Sequence, residues 1–569
     1  MHDDLERAVE CFERGEVDPA EQLCRQVIAT SPGGAAARVL LGRILVARGQ
    51  ADGAQSEFNA ALQADPAHVD AWLQWGLLLQ TLGHPQKAVE CLALGLTYSP
   101  NAFPLLNALA RVLLHMGNLE EAARQARRAI DVSAQAAAPW LTLGLVLGKQ
   151  GQSAAAIAAL SKATSLDPTL AEAHNFVGEL LTGTDPTAAE QAFRAALRHR
   201  PDYAEALDSL GVIAVLRGNF AKALAHFDRA LSINPPLLRA LGHKTTTLFL
   251  MGNLSEAWPL YRRRFEVEGL KRDPHGRFPQ AVWSGESLQG KRLLVWTELG
   301  LGEEVMQASM LPDASAAASR LTVECSPRLE ALFRRSFPQA VVVPRTNPAR
   351  ACAVPIDADI QIAGGDLGAA FRGGWSAFPK HTGYLKADPA KVERLRAKYK
   401  GDAKALVVGL SWASKQSRFD KNKTLALLAF ALILRQKGVV FVNLQYAADA
   451  EEIADVRAAL GVDIISDDTI DPAGDMDDVA AQIAAMDLVI CVSNSAAHIA
   501  GALNVPVWNI IPGHNTSGMW HWFHNLQGSP WYPSMKIYRR TEGTTESLMT
   551  RLAHDLQAAQ TASVTARRI

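Results

Sequence analysis

Cysteine is scarce and unclustered: six residues (Cys11, Cys24, Cys91, Cys325, Cys352, Cys491) in a chain of 569, with no C-x-x-C pair. That excludes a zinc ribbon or a disulfide scaffold and predicts free thiols in a reducing cytoplasm. No apolar run reaches the roughly 18 residues of a membrane span, so none is expected. The N-terminus, MHDDLERAVECFERG, is acidic and amphipathic, unlike a signal peptide. Neither sign of charge is in excess. Lys and Arg number 57 against 58 Asp and Glu, a net charge of −1, which gives no general attraction to nucleic acid or an anionic membrane. Also missing are a GKS or GKT phosphate loop and the spaced-glycine dinucleotide fingerprint; GGDLG (364–368) reads as a turn. With 48% hydrophobic and 20% charged residues, the rest is ordinary globular material, long enough for about three folding units.

A repeat fills the first half. Pro32, Pro66, Pro100, Pro168, Pro201 and Pro235 recur at intervals of 33 or 34 residues, one interval doubled. Gly42, Gly76, Gly144, Gly178 and Gly211 keep the spacing. So do Ala20, Ala54, Ala88, Ala122, Ala156, Ala189, Ala223 and Ala257. The pattern resembles the tetratricopeptide repeat over about residues 1–270, some seven units. Each unit would be two antiparallel helices whose small residues let the backbones approach, with proline ending the second helix. Stacked units form a superhelix with a concave surface for a protein partner, the alternative being a plain spacer. The similar array of eukaryotic O-GlcNAc transferases lines its groove with asparagines. Here those positions read Leu40, Gln74, Ala108, Thr142, Phe176 and Ser209. A groove of Trp72, Gln74, Thr142, Phe176 and Ser209 suits a helical or folded partner docked by side chains better than an extended backbone.

After Tyr261-Arg262-Arg263-Arg264 the period changes. VEGLKRDPHGRFPQ (267–280) reads as a linker. Beyond it nine β-branched runs alternate with helical segments: 292–297, 320–325, 340–344, 358–362, 405–412, 439–445, 462–467, 487–493 and 505–511. Continuous apolar strands separated by helices predict parallel sheets covered on both faces. Two such sheets are expected: a reduced lobe over 271–385, and a second lobe over 386–569 that includes a C-terminal helix. Open parallel sheets place a ligand crevice at the carboxyl ends of their strands.

Four segments at such ends carry candidate chemistry. In TELGLGEEV (297–305), Gly302 precedes Glu303, a candidate general base at the start of a helix. Glu304 there is equally well a complement to the helix dipole, worth roughly 0.3–1 kcal/mol. In DLVICVSNSAAHIAGAL (487–503), Ser493-Asn494-Ser495 cap a helix whose first amides suit a phosphate, and His498 stands one turn in. Ordinary capping and a core histidine are the bland readings of the same residues. SWASKQSRFDKNKTLALL (411–428) gathers Lys415, Arg418, Lys421 and Lys423, a phosphate-attracting cluster or a solvated loop. GHNTSGMWHWFHNLQGSPWYPS (513–534) holds Trp520, Trp522 and Trp531, to stack on a base or sugar or to pack a lobe interface. His521 and His524 form an H-x-x-H pair that lacks a further ligand nearby, so no metal site is expected.

Together these segments resemble glycosyltransferases of the two-lobed GT-B fold, nearest the heptosyltransferase-like group and bacterial proteins in which that lobe is fused to tetratricopeptide repeats. Gly302-Glu303 stands where that group has Gly-Asp with its proposed base. Ser493-Asn494-Ser495 and His498 stand where it has Asp-Thr-Gly and a helix histidine, and Lys423 matches its phosphate-side lysine. Leu444-Gln445-Tyr446, NSAAH and SPWYPS extend the likeness to the flagellin glycosyltransferases. That resemblance implies a cytoplasmic enzyme that docks flagellin on its repeats and moves a nonulosonic acid, pseudaminic or legionaminic, to Ser or Thr hydroxyls. The donor would be a nucleotide sugar, CMP-linked rather than UDP- or ADP-linked. It would be held by Gly302, Lys423, Gln445, Ser493, Asn494, Ser495 and Trp520, with Glu303 and His498 catalytic and no metal or other cofactor. The alternatives are a repeat scaffold for assembly or secretion with an inactive lobe, and a UDP-GlcNAc-dependent protein transferase.

Overall fold

A computed structural model describes residues 2–31, 34–266, 278–345, 356–400, 405–414, 423–513, 519–540 and 544–566. The chain divides into two compact units, Met1–Ile213 and Ala214–Ile569.

The first unit is built of helical hairpins, beginning with His2–Glu13 and Val17–Thr30, then Ala35–Ala47 and Ala51–Ala64. Ala20, Ala54, Ala88, Ala122, Ala156 and Ala189 are all fully buried. Glycine sets the closeness of each pair. A Cβ on Gly42 would lie 2.4 Å from the Phe58 ring, one on Gly76 2.7 Å from Leu92, and one on Gly178 2.5 Å from Phe193. Between the paired helices the chain reverses on a left-handed glycine at Gly15, Gly49, Gly83, Gly117 and Gly151. At Gly49 (φ 72°), the N–H groups of Gly49 and Gln50 reach back to Val46 O and Leu45 O, both at 2.9 Å, satisfying carbonyls that a helix end leaves free. The second helix stops two residues before Pro66, Pro100 and Pro168, since proline restricts the preceding residue and lacks an N–H. Along the whole chain sixteen such helices, ending with Leu238–Met251 and Leu254–Tyr261, make eight hairpins among the described residues, where the spacing predicts seven.

The second unit holds two parallel sheets. The first comprises β1 (Ala281–Val282), β2 (Arg292–Trp296), β3 (Arg320–Cys325), β4 (Val341–Pro344) and β5 (Ile360–Ala363), in the order β1-β5-β2-β3-β4. The second comprises β6 (Leu406–Ser411), β7 (Val439–Asn443), β8 (Ile464–Ile465), β9 (Leu488–Val492), β10 (Val507–Ile511) and β11 (Met535–Arg539), in the order β11-β10-β9-β6-β7-β8. Every strand pairing is parallel. All of β9 and all but the first residue of β2 are buried, as strands covered on both faces must be. In each sheet the chain first runs one way from a central strand, β2 or β6, and then returns to that strand's other side. Such reversals open a crevice at the carboxyl ends of the strands. All nine expected strands form; β1 and β11 were not legible. Helix Pro389–Lys400, between the two sheets in the chain, packs on the second through helix Met476–Ala484 and β6.

Among the described residues no helix is long and apolar enough to cross a membrane. Cys24, Cys91, Cys325 and Cys491 are buried free thiols. Cys352 and most of the expected linker lie outside the described residues.

Candidate functional site

The two reversals supply one cavity of about 760 Å³ within the second unit. From the first sheet, the turn after β2 takes Leu299 through left-handed backbone (φ 68°), a conformation rare for a branched residue and a mark of local constraint. Helix Leu301–Ala308 follows. Its two acidic residues part company. Glu304 is buried, its carboxylate accepting from Thr297 Oγ1 at 2.8 Å and Ser326 N at 2.9 Å and pairing with Arg345. Glu304 is thereby an internal anchor. Glu303 is half-buried and lines the cavity, and accepts no hydrogen bond among the described residues. A carboxylate left open to a cavity is the one able to receive a proton from a ligand.

From the second sheet, β9 delivers Ser493-Asn494-Ser495 onto helix Ser495–Ala502, as expected. Asn494 caps that helix through Ala496 N at 3.1 Å, and its Nδ2 donates to Ser411 Oγ at 2.7 Å. The turns after β6 and β9 are thus tied together. Ser493 Oγ accepts from Trp522 Nε1 at 2.8 Å. Gln445 lines the cavity, yet its Oε1 accepts from Ser411 Oγ and from the amides of Trp412 and Ala413, and its Nε2 donates to Tyr446 O. Gln445 holds the β6 turn in shape with polar atoms that are already engaged.

The two helices meet at a glycine. A Cβ on Gly302 would stand 2.8 Å from His498 Cδ2, so only glycine lets this imidazole lie against the helix that carries Glu303. His498 is buried, with Nδ1 2.8 Å from the Tyr532 hydroxyl. Burial, helped by the positive charge of Lys423, pushes its pKa down to about 3. His521 is held well below the ordinary histidine value by burial, then by His498 and Lys423. Lys423 lines the cavity and makes no ion pair among the described residues.

The structure therefore brings Gly302, Glu303, Lys423, Gln445, Ser493, Asn494, Ser495 and His498 around one space. Trp520 does not line it. Its ring stacks on Phe249 at 4.1 Å and meets Trp258 edge-on, the packing alternative of the sequence reading. His521 and His524 do not form a pair. His521 faces the cavity, whereas the ring of His524 meets Phe220 and the backbone N–H of His524 donates to Leu250 O. Lys415, Arg418, Lys421 and His514 lie outside the described residues. Arg345, Arg328 and Tyr446 also line the cavity, as does His521 of the fourth candidate segment. Of the two arginines and Tyr446, Tyr446 alone carries a sequence signal, following Gln445 directly.

In the first unit, most of the expected groove set is interior. Trp72 is buried, donating to Pro66 O at 2.8 Å. Thr142 is fully buried, its hydroxyl on Asn107 Oδ1 at 2.7 Å, and Ser209 is buried with its hydroxyl on Glu205 O. Those three side chains face the packing between helices, where a small or flat residue fits. Gln74 and Phe176 keep partial exposure.

Tetratricopeptide-repeat family models match residues 12–74, 73–139, 107–171 and 179–237. Human protein O-mannosyl-transferase TMTC1 is 28% identical over 208 residues, 35% of this chain and 23% of its own length. Among solved structures the APC/C hetero-tetramer Cut9-Hcn1 gives a TM-score of 0.39 at 16% identity, covering 42% of this chain and 48% of that one. Protein FlbA of Caulobacter vibrioides is 30% identical over 517 residues, spanning 88% of this chain and 80% of its own. A repeat array joined to parallel sheets, similar to FlbA over nearly its whole length, belongs to the FlbA family.

Proposed function

We propose that the protein is a glycosyltransferase of GT-B type, with two Rossmann-like lobes, that moves a sugar from a nucleotide donor to a hydroxyl of a protein docked on its repeats. The observation that carries this reading is the convergence, in a cavity of about 760 Å³, of an open carboxylate from one sheet with a capped helix start, a cation and an imidazole from the other. In the reaction, Glu303 takes the proton of an acceptor Ser or Thr hydroxyl. The oxygen attacks the anomeric carbon of the sugar, and the bond from that carbon to the phosphate oxygen breaks, its electron pair leaving with the nucleotide. Lys423, His498 and the Ser493–Ser495 turn face the departing phosphate. The partial relative named a protein O-mannosyl-transferase points the same way. A nonulosonic acid from its CMP donor and flagellin as acceptor are the finer form of the proposal, in keeping with the flagellin-transferase likeness of the cavity segments.

The test has two steps. Nucleotide panels of CMP, UDP, ADP and GDP are compared by thermal stability, since a ligand at about 100 times its dissociation constant adds about 2.7 kcal/mol to the folded state. Selective stabilisation by CMP supports the nonulosonic acid donor, and by UDP or ADP a hexose or heptose donor. With the donor in hand, Glu303→Gln should lower kcat about 10²–10⁴-fold with little change in nucleotide affinity. Retention of more than about a tenth of the rate removes Glu303 as the base. No stabilisation by any nucleotide returns the protein to the scaffold reading.

A further inference from the structure

Two imidazoles, rather than one, stand in the cavity. His521 sits in the short helical turn Trp520–Trp522, and its ring centroid is 5.1 Å from that of His498. The two differ in satisfaction. His498 has the Tyr532 hydroxyl on Nδ1, whereas His521, only 3% exposed, has an Nε2 with no hydrogen-bond partner among the described residues. Buried polar nitrogens are almost always paired, so an orphan lining a cavity calls for a ligand atom.

The turn is held from several sides. Trp520 stacks on Phe249, Trp522 Nε1 donates to Ser493 Oγ, and Arg539 Nη2 donates to the Trp522 carbonyl at 3.0 Å. Phe523, at the end of the turn, lies in left-handed backbone at φ 45°. This scaffold fixes His521 in place rather than letting the ring seek a partner elsewhere. Its neighbours in the cavity select the ligand: Lys423 supplies a positive charge without an ion pair among the described residues, and Ser493, Asn494 and Ser495 supply the start of a helix. That combination favours an anion.

We propose that His521 is a ligand-contacting residue whose Nε2 hydrogen-bonds the phosphate of a nucleotide seated between Lys423 and the Ser493–Ser495 turn. The proposal rests on the nucleotide-donor reading and adds to it a contact absent from that reading's residues. In the tautomer with its hydrogen on Nε2, the neutral ring donates to a phosphate oxygen without bringing a charge into the buried site. The ring belongs to the phosphate rather than to the base, so its loss should leave nucleoside recognition alone.

The experiment is titration calorimetry on the full chain with CMP, UDP, ADP, GDP, the four matching nucleosides and inorganic pyrophosphate. Wild type is compared with His521→Phe, which keeps a flat ring in the turn, and His521→Gln, which keeps a donor. For whichever nucleotide binds, His521→Phe should weaken affinity about tenfold or more, corresponding to about 1.4 kcal/mol. Its affinity for the nucleoside should stay within about twofold, and His521→Gln should recover part of the nucleotide loss. Nucleotide affinity unchanged in His521→Phe, or an equal loss for the nucleoside, overturns the contact while leaving the donor reading intact. Binding of pyrophosphate but of no nucleotide removes the donor reading, and the same comparison on pyrophosphate then decides His521. If wild type binds none of these ligands, both fall. Should His521→Phe fail to fold, His521→Gln decides by the same criterion, with a loss in nucleotide affinity beyond that in nucleoside affinity as the supporting result.

Discussion

Burial gives the two cavity histidines a proton affinity far from that of an exposed imidazole, with a consequence for stability. The ordinary value is 6.5, and His498 is pushed down to about 3; His521 is lowered in the same direction. Above pH 6.5 both residues are neutral folded or unfolded, and they add no pH dependence. Below it the unfolded chain takes up protons that the folded chain refuses, so stability falls as pH is lowered from 6.5 towards 3. At pH 5 the cost is about 2 kcal/mol for His498, and His521 adds to it in the same direction. Melting followed by tryptophan fluorescence should show a fall between pH 6.5 and 5 that is smaller in His521→Phe. An identical fall in both proteins means that these imidazoles are not what titrates. Legibility at this scale divides along the same line. Candidate residue types at strand ends could be read from spacing, because a turn between a strand and a helix has a recognisable composition. What holds Glu304, the second of the two adjacent glutamates, could not. Glu304 is consumed by Thr297, Ser326 and Arg345, partners scattered over 48 residues that only the folded sheet assembles.

Among the elements, the turn Trp520–Trp522 joins the cavity to packing well away from it. His521 looks inward, while Trp520 stacks on Phe249 of helix Leu238–Met251, with Trp258 and Tyr261 edge-on around it. Phe249 is fully buried and lines no part of the cavity. Phe249→Ala should cost about 3–5 kcal/mol, the usual range for emptying a buried aromatic site. By releasing Trp520 it should also weaken nucleotide binding. Phe58→Ala is the matched control, equally buried but in the first unit; it should destabilise its own unit and leave nucleotide affinity alone. Equal effects of both variants on affinity would mean that the turn does not depend on the Phe249 stack. The elements also show what pattern reading reaches. Strands such as β2 and β9 announce themselves as unbroken apolar runs, because both faces are covered. β1 is only two residues long. β11 (MKIYR) alternates polar and apolar residues at the sheet edge, which weakens the signal for a buried parallel strand. Whether Trp520 meets a ligand or a neighbouring helix depends on long-range packing that no local pattern encodes.

For the molecule as a whole, the division of labour between the units can be tested directly. Every residue lining the cavity lies in Ala214–Ile569, so nucleotide binding should need none of the first unit. Repeat arrays tolerate shortening if a hairpin remains as a cap, because each hairpin is stabilised mainly by its neighbours. A chain lacking residues 1–170 would keep hairpin Ala171–Leu181 and Pro186–His199 as that cap while losing Trp72, Gln74 and Thr142. It should bind the nucleotide within about twofold of the full chain by calorimetry. Transfer to a folded protein acceptor should instead show a raised KM with kcat little changed, the signature of lost ground-state binding. The 34-residue spacing made the repeats readable because each turn imposes the same demand on glycine, alanine and proline. What the array binds is carried by surface residues under no such demand, and comparing acceptor KM for the two chains measures that contribution. If nucleotide affinity falls together with acceptor transfer, the first unit supports the cavity itself; an unchanged acceptor KM would place docking in the remaining repeats or the sheets.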